Sequence, residues 1–295
     1  MSILDRIYSK FTDQYWNIGI IDNSLEDVIN NIPIKIRMLR HRYKEGWFAD
    51  PFILDVSDSF IWLLVEELYF KNDRGRISKL TIDKKRFELL KVEPVLELDS
   101  HLSFPAIFRE NNNIYIYPEN AKGLGLAMYE YDPLTNKCEF IKIISKRKLA
   151  DAIITNVFGE DVIWATEMPT HNGCILNEYS LMKEGDVVLK YQYAFDENVA
   201  RNAGDWFKLN ERVFRPAQDC NMNYGKAVVL QEVIKTTEGF DFKEIRRIES
   251  TLWNYTTGCH TFNQFKDVII IDCHGYKYPI LGPIVKKCFP KCFLK

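Results

Sequence analysis

The sequence has 295 residues, 46% hydrophobic and 14% aromatic, which is ample for a large buried core and excludes a disordered or fibrous chain. Its 39 basic and 41 acidic residues leave a formal net charge of −2, so no global field draws it to nucleic acid. No run approaches the roughly 18 apolar residues of a membrane span, and the opening MSILDRIYSKFTDQYW lacks the charged start and apolar stretch of a signal peptide.

Along the chain, residues 3–10 and 24–31 carry the best helical periodicity, with Ser24 placed to cap the second, and residues 15–21 read as a strand. Lys35, Arg37, Arg40, Arg42 and Lys44 then form a basic cluster, which reads first as a solvated face and second as a contact for anionic substrate or lipid headgroups.

From Ala49 onward one pattern recurs: a polar entry, an apolar strand, a polar turn and a second apolar strand with a polar end. The copies are ADPFILDVSDSFIWLLVEE from Ala49, SFPAIFRENNNIYIYPEN from Ser103, DAIITNVFGEDVIWATEM from Asp151, NAGDWFKLNERVFRPAQD from Asn202 and HTFNQFKDVIIIDCHGY from His260. Each centre carries Asn, Asp, Ser or Gly-rich turn chemistry, as in residues 56–59, 110–113, 158–161, 209–211 and 264–267. Further strand candidates lie between the copies, at residues 76–81, 127–131, 137–144, 176–181 and 187–193. About four strands per roughly 50 residues is the unit of a propeller blade. The expectation is an all-β, five-bladed β-propeller over residues 47–280, with residues 1–46 a short N-terminal extension that packs on it or closes it, and residues 281–295 a basic tail.

Seven cysteines is an odd number, and Cys138, Cys174, Cys220, Cys259 and Cys273 are scattered singly, which fits a reducing cytoplasm better than a disulfide framework. Cys288 and Cys292 make a C-x-x-x-C with no second ligand pair nearby, which argues against zinc. Gly123-Leu124-Gly125 lacks the third glycine and following helix of a phosphate loop, and there is no G-x-S-x-G or H-E-x-x-H.

In a propeller the first strand of each blade lines the central channel, so a polar residue at its entry in every repeat faces one pocket. These positions hold Asp50, His101 with Ser103, Asp151, Arg201 with Asp205, and His260; the ends of the second strands add Glu66, Glu67, Glu119, Glu167, Gln218, Asp219 and His274. Singly, each is more often a turn or a satisfied partner; recurrence at equivalent positions is what points to a site. Converging carboxylates raise one another's pKa, the arrangement general acid–base chemistry uses. Arg201 and Arg215 are placed to balance that charge or clamp an anionic ligand, and Tyr224, Trp206 and Trp47 are available to stack on sugar faces, with Trp206 read first as core packing and second as a stacking platform.

At FADPF (48–52), HLSFP (101–105), YPEN (117–120), ARNAGDWF (200–207), RPAQDC (215–220) and GCHTFN (258–263), the sequence resembles the N-terminal domain of glucosamine inositolphosphorylceramide transferases and its stand-alone bacterial relatives. The resemblance spans roughly residues 45–275. It implies a propeller akin to arabinanases, β-xylosidases and invertases, in bacteria associated with surface polysaccharide synthesis. In those hydrolases an Asp of the first blade is base or nucleophile, and Asp50 matches it by motif; the acid and auxiliary carboxylate do not carry over, because the later blades' motifs differ. The plant enzymes carry transferase activity in a separate C-terminal domain, which the resemblance does not extend to here.

The first functional expectation is an enzyme acting on a glycosidic bond in surface polysaccharide or glycolipid metabolism, by hydrolysis, transfer or phosphorolysis. Asp50 is then the base, Glu119 the acid and Asp151 the tuning carboxylate, at an inverting separation of roughly 6.5–9.5 Å. Glu66, His101, Ser103, Arg201, Asp205, Arg215, Gln218, Asp219, Tyr224 and His260 are expected to bind the sugar, nucleotide sugar or glycolipid. The second is a non-catalytic sugar-binding propeller beside a glycosyltransferase partner; a protein–protein propeller ranks third. No cofactor is expected, although channels with several carboxylates sometimes hold calcium. The expected location is cytoplasmic, with the Lys- and Phe-containing tail a candidate membrane contact.

Overall fold

A computed structural model describes residues 8, 10–120, 122–182 and 186–288. Alternating apolar and polar residues, interrupted by turn residues, build twenty strands in five four-stranded antiparallel sheets. The chain begins with β1 (Gln14–Ile21) and β2 (Ile36–Met38), separated by a short helix α1 (Leu25–Ile29) that Ser24 caps. The first complete blade is β3 (Gly46–Val56), β4 (Phe60–Tyr69), β5 (Arg74–Asp83) and β6 (Glu88–Leu96). The second is β7 (Ile107–Glu110), β8 (Asn113–Ile116), β9 (Leu126–Asp132) and β10 (Lys137–Ser145). The third runs β11 (Leu149–Thr155), β12 (Val162–Glu167), β13 (Ile175–Ser180) and β14 (Val188–Ala194), and the fourth β15 (Phe207–Leu209), β16 (Arg212–Asp219), β17 (Ala227–Lys235) and β18 (Phe240–Ile248).

The fifth blade closes the ring. β19 (Phe262–Phe265) and β20 (Val268–Tyr276) supply its inner pair, and β1 and β2 its outer pair, with β1 matched along β20 from Gln14 opposite Tyr276 to Ile21 opposite Ile269. Joining the two ends of the chain in one sheet leaves no gap between first and last blades, which is how a ring of sheets protects its edges. The protein is a five-bladed β-propeller. The helical periodicity at residues 3–10 falls largely outside the described residues; residues 281–288 form a helix, α2 (Leu281–Cys288), and the remainder of the basic tail also lies outside them.

Hairpin chemistry follows from local residues. Asn111 and Asn112 both have positive φ (50° and 67°), as do Asn210 and Glu211 (49° and 65°), the backbone of a two-residue turn whose twist matches its strands. Between blades, apolar faces interlock: Trp164 of β12 stacks on Trp206 at 4.6 Å with Phe242 edge-on to both. Trp206 is thus core.

Gly204 shows how closely the inner strands approach. Its φ is +150°, and a Cβ there would lie 2.0 Å from the Phe262 carbonyl oxygen of the next blade. Gly204→Ala should therefore lower stability by roughly 2 kcal/mol or more, through strain and overpacking. Urea unfolding checks this; an unchanged midpoint would mean that the fourth and fifth blades separate freely at this point.

Candidate functional site

The innermost strands carry the same irregularity in two blades. In β3 the pairing with β4 slips between Ala49 and Phe52, and in β11 the pairing with β12 slips between Ala150 and Ile153. Asp50 and Asp151 sit at these bulges with φ of +49° and +43°. A bulge re-aims a side chain that an even ladder would commit to one face of the sheet. The sequence signature is the repeated Ala-Asp, at residues 49–50 and 150–151. Phe104 holds the corresponding left-handed position in the second blade (φ +45°), and its N–H donates to Asp50 Oδ2 at 2.9 Å.

Two clusters result. In the first, Asp272 of β20 organises its neighbours: Oδ1 accepts from the N–H groups of His260 and Thr261, and Oδ2 from that of Asp50 at 3.0 Å. His260 Nδ1 lies 2.7 Å from Asp272 Oδ2, and Nε2 lies 3.5 Å from Asp50 Oδ1, which also accepts from the Thr261 hydroxyl at 3.0 Å. Trp16 of β1 stacks between His260 (4.0 Å) and His274 (4.5 Å) and fixes the imidazole plane.

In the second, Arg201 forks onto Asp151, with Nε to Oδ2 at 2.6 Å and Nη2 to Oδ1 at 3.2 Å, and reaches Glu119 Oε2 at 3.3 Å. Gln218 donates to Asp151 Oδ2 at 2.6 Å, and the Asp151 N–H donates to Glu119 Oε2 at 3.0 Å. Glu119 Oε1 makes no hydrogen bond among the described residues. Tyr224, 44% exposed on the β16–β17 turn, bridges the clusters: its ring meets His260 edge-on at 5.3 Å and the Arg201 guanidinium at 4.9 Å. A third pair lies beside them, His101 Nε2 on Glu66 Oε1 at 3.0 Å, with His101 Nδ1 accepting from the Gly75 N–H.

Buried carboxyls outnumber cations here, and the proton affinities follow. Burial, reinforced by Glu66, Asp151 and Asp272 and opposed by His260, pushes Asp50 up to about 8. Burial and the Asp151 charge push Glu119 up to about 8 against the pull of Arg201. Burial disfavours the His260 imidazolium, but Asp272 and Asp50 outweigh it and push the ring up to about 9, while His260 and backbone donors hold Asp272 below its ordinary value despite burial. These groups titrate as coupled sets rather than singly.

Stability should respond with a definite sign. Native Asp50 and Glu119 keep protons up to about pH 8 that the unfolded chain releases near 3.8 and 4.5, so deprotonating them costs native stability. His260 contributes stability that is fully present below 6.5 and lost as pH rises through about 9. All three push the same way, so the urea midpoint should fall between pH 6.5 and 9. A midpoint that rises over that interval would contradict the arrangement.

The structure brings together Asp50, Glu119, Asp151, Arg201, Gln218, Tyr224 and His260, with Glu66 and His101 adjoining. Ser103 pairs with Glu119 through backbone bonds of 2.8 and 3.3 Å. Asp205 is apart from these clusters: burial pushes it up to about 7, and the charge that opposes this is Arg109. Asp219 is tied to Arg247 and Asn221 at the rim. Arg215 corrects the expectation of a ligand clamp. It is wholly buried within the fourth blade, and its donors are spent on Asn202, Gln231 and the Val199 and Ala200 carbonyls, so it braces the strand entry. Glu67 points to the opposite face of β4 from Glu66, into Arg76, Tyr43 and Ser78, as strand alternation requires. Sequence reasoning passed over Asp272, Thr261 and Trp16; a lone carboxylate inside the apolar run VIIIDC was the available signal for the first.

Asp50, His260 and Asp272 each place one donor atom within 4.8 Å of the others, the spacing of a cation site. A cation there would have to displace the His260 proton that Asp272 and Asp50 favour.

Fold and site together define a five-bladed propeller with a channel of paired carboxylates. Residues 22–269 match the family described as Glucosamine inositolphosphorylceramide transferase 1, N-terminal, and the chain belongs to that family. Glucosamine inositolphosphorylceramide transferase 1 of Oryza sativa subsp. indica is 25% identical over 221 residues, 69% of this chain and 28% of that protein. The Arabidopsis thaliana protein of the same name is 28% identical over 226 residues, 69% of this chain and 27% of its own length. The chain thus spans little more than a quarter of these relatives. Among solved structures, the GH43_1 enzyme from Xanthomonas citri complexed with xylose superposes with a TM-score of 0.52 at 10% identity, over 79% of this chain and 88% of that one, a likeness of fold.

Proposed function

We propose that the propeller is a carbohydrate-active protein whose channel mouth binds a glycan or glycolipid headgroup and acts on a glycosidic linkage. The observation that carries this reading is the approach of two protonatable carboxyls from different blades, Asp50 and Glu119, each raised to about 8 by burial, to the one residue Tyr224 at the channel mouth. Glu119, raised to about 8, keeps its proton at neutral pH, and its Oε1 makes no hydrogen bond among the described residues, which suits it to protonate a leaving oxygen. Asp50 accepts a proton from water or an acceptor hydroxyl in its ionised form, the form the neighbouring His260 imidazolium favours. Tyr224 offers a face for a sugar ring. Arg201 and Gln218 hold Asp151 and set the charge against which Glu119 titrates. A groove of about 640 Å³ between the first and second blades, lined by Arg74, His101, Asn120 and Lys122, gives room for the rest of the ligand beside Glu66.

The family relationship supports a sugar- or glycolipid-related ligand, and the plant relatives' name supports a transferase setting. A second reading, sugar binding without turnover beside a transferase, is favoured by one observation: Arg201 neutralises Asp151, and both Asp50 oxygens already have hydrogen-bond donors. Thermal shift against nucleotide sugars, glycosides and inorganic phosphate, with products followed by mass spectrometry, separates the two. Stabilisation with conversion supports the enzyme; stabilisation alone supports the binding module; no stabilisation by any of them removes both.

A further inference from the structure

We propose that the face on which the channel opens docks on the surface of an anionic lipid bilayer, with apolar loop tips entering the interface. In each blade the links after the second and fourth strands emerge on the side where Asp50 and Asp151 lie. Four large apolar side chains stand out from these links: Leu124 between β8 and β9 (72% exposed), Met222 between β16 and β17 (82%), Trp253 between β18 and β19 (69%) and Ile280 after β20 (69%). Among the described residues only one other large apolar side chain is more than two-thirds exposed, Leu134 (95%), in the β9–β10 hairpin of the opposite face.

α2 adds positive charge to the same face. α2 seats Gly282 against Tyr276, leaves Ile284 exposed and ends on Lys286 and Lys287, neither of which makes an ion pair among the described residues. This is local, because the whole chain is slightly acidic at −2. The distribution selects the occupant. The tips rise from the second, fourth and fifth blades around a polar mouth, so no single contiguous apolar patch awaits a rigid partner. A fluid interface takes separate tips, tryptophan partitions to that depth, and lysines near it are held by anionic headgroups. Docked this way, the mouth faces the headgroup layer.

Co-sedimentation with phosphatidylcholine vesicles containing phosphatidylglycerol tests this directly. The protein should pellet with the mixed vesicles, less with phosphatidylcholine alone, and be released by salt. The triple variant Met222→Ser/Trp253→Ser/Ile280→Ser should partition about tenfold more weakly or worse, since each change removes apolar area from the interface. Its thermal midpoint should stay put, because these side chains are exposed, and Leu134→Ser should bind as the unaltered chain does. Absence of binding to anionic vesicles, equal binding by the triple variant, or an equal loss on Leu134→Ser overturns the proposal. So does a dimer without vesicle binding that the triple variant dissolves, which would make a second copy the occupant. The readout needs no ligand in the channel, so docking and the channel chemistry stand or fall separately.

Discussion

Arg201→Met is expected to lower the free energy of unfolding by about 3–5 kcal/mol, the cost of leaving buried carboxylates without their cation. Arg201 and Asp151 are both nearly inaccessible, at 6% and 2% exposure, and the guanidinium also serves Glu119 and donates through Nη1 to Asn172 Oδ1 at 2.9 Å. Methionine fills similar volume, so the loss reports charge and hydrogen bonding rather than a cavity. Arg201→Lys keeps the charge but loses the fork, and should fall between the two. Adding Asp151→Asn to Arg201→Met should recover part of the loss, because it removes the uncompensated partner. Urea unfolding of the four proteins checks the set. An unchanged midpoint in Arg201→Met would show that the second cluster is not a strut of the fold.

Glu119→Gln and Asp50→Asn should each reduce turnover on a glycosidic substrate by about 10²–10⁴-fold, the usual worth of a positioned acid or base. The two losses should differ in character. Glutamine at 119 keeps the acceptor role toward the Asp151 N–H but has no carboxyl proton, so its defect should shrink on a substrate whose leaving group departs without one. Asparagine at 50 should lose equally on both substrates, because the missing base acts on the attacking group. The alkaline limb of the rate profile, expected near pH 8 where Glu119 releases its proton, should vanish in Glu119→Gln. Ligand stabilisation should persist in both variants. Full turnover in either would remove that residue from the chemistry, and stabilisation without turnover in the unaltered chain would leave the binding reading.

Much of the fold is legible because a propeller is built from local units. A blade needs short apolar strands, turn residues between them and repetition, all of which appear in one dimension. Asn111-Asn112 and Asn210-Glu211 announce tight turns, and five copies of the hairpin pattern announce five blades. Asp50 and Asp151 were legible for the same reason: a polar residue recurs at the entry of each repeat, and the ring carries equivalent points to one axis.

What the repeat does not encode is how blades differ where they meet. Arg215 and Arg201 lie 14 residues apart in one polar stretch and look alike in sequence, yet Arg215 on β16 turns into the blade while Arg201, in the link before β15, reaches Asp151 and Glu119. Glu66 and Glu67 are neighbours, and only the pleat decides that one meets His101 and the other Arg76. Asp272 and Trp16 join the site because β1 pairs with β20, bringing residues from opposite ends of the chain into one sheet. The sequence by itself determined the repeating unit, the number of blades and the carboxylates that recur with them. The tertiary structure decided which charges pair, because pairing depends on side-chain direction and on closure of the ring, neither of which has a period in the sequence.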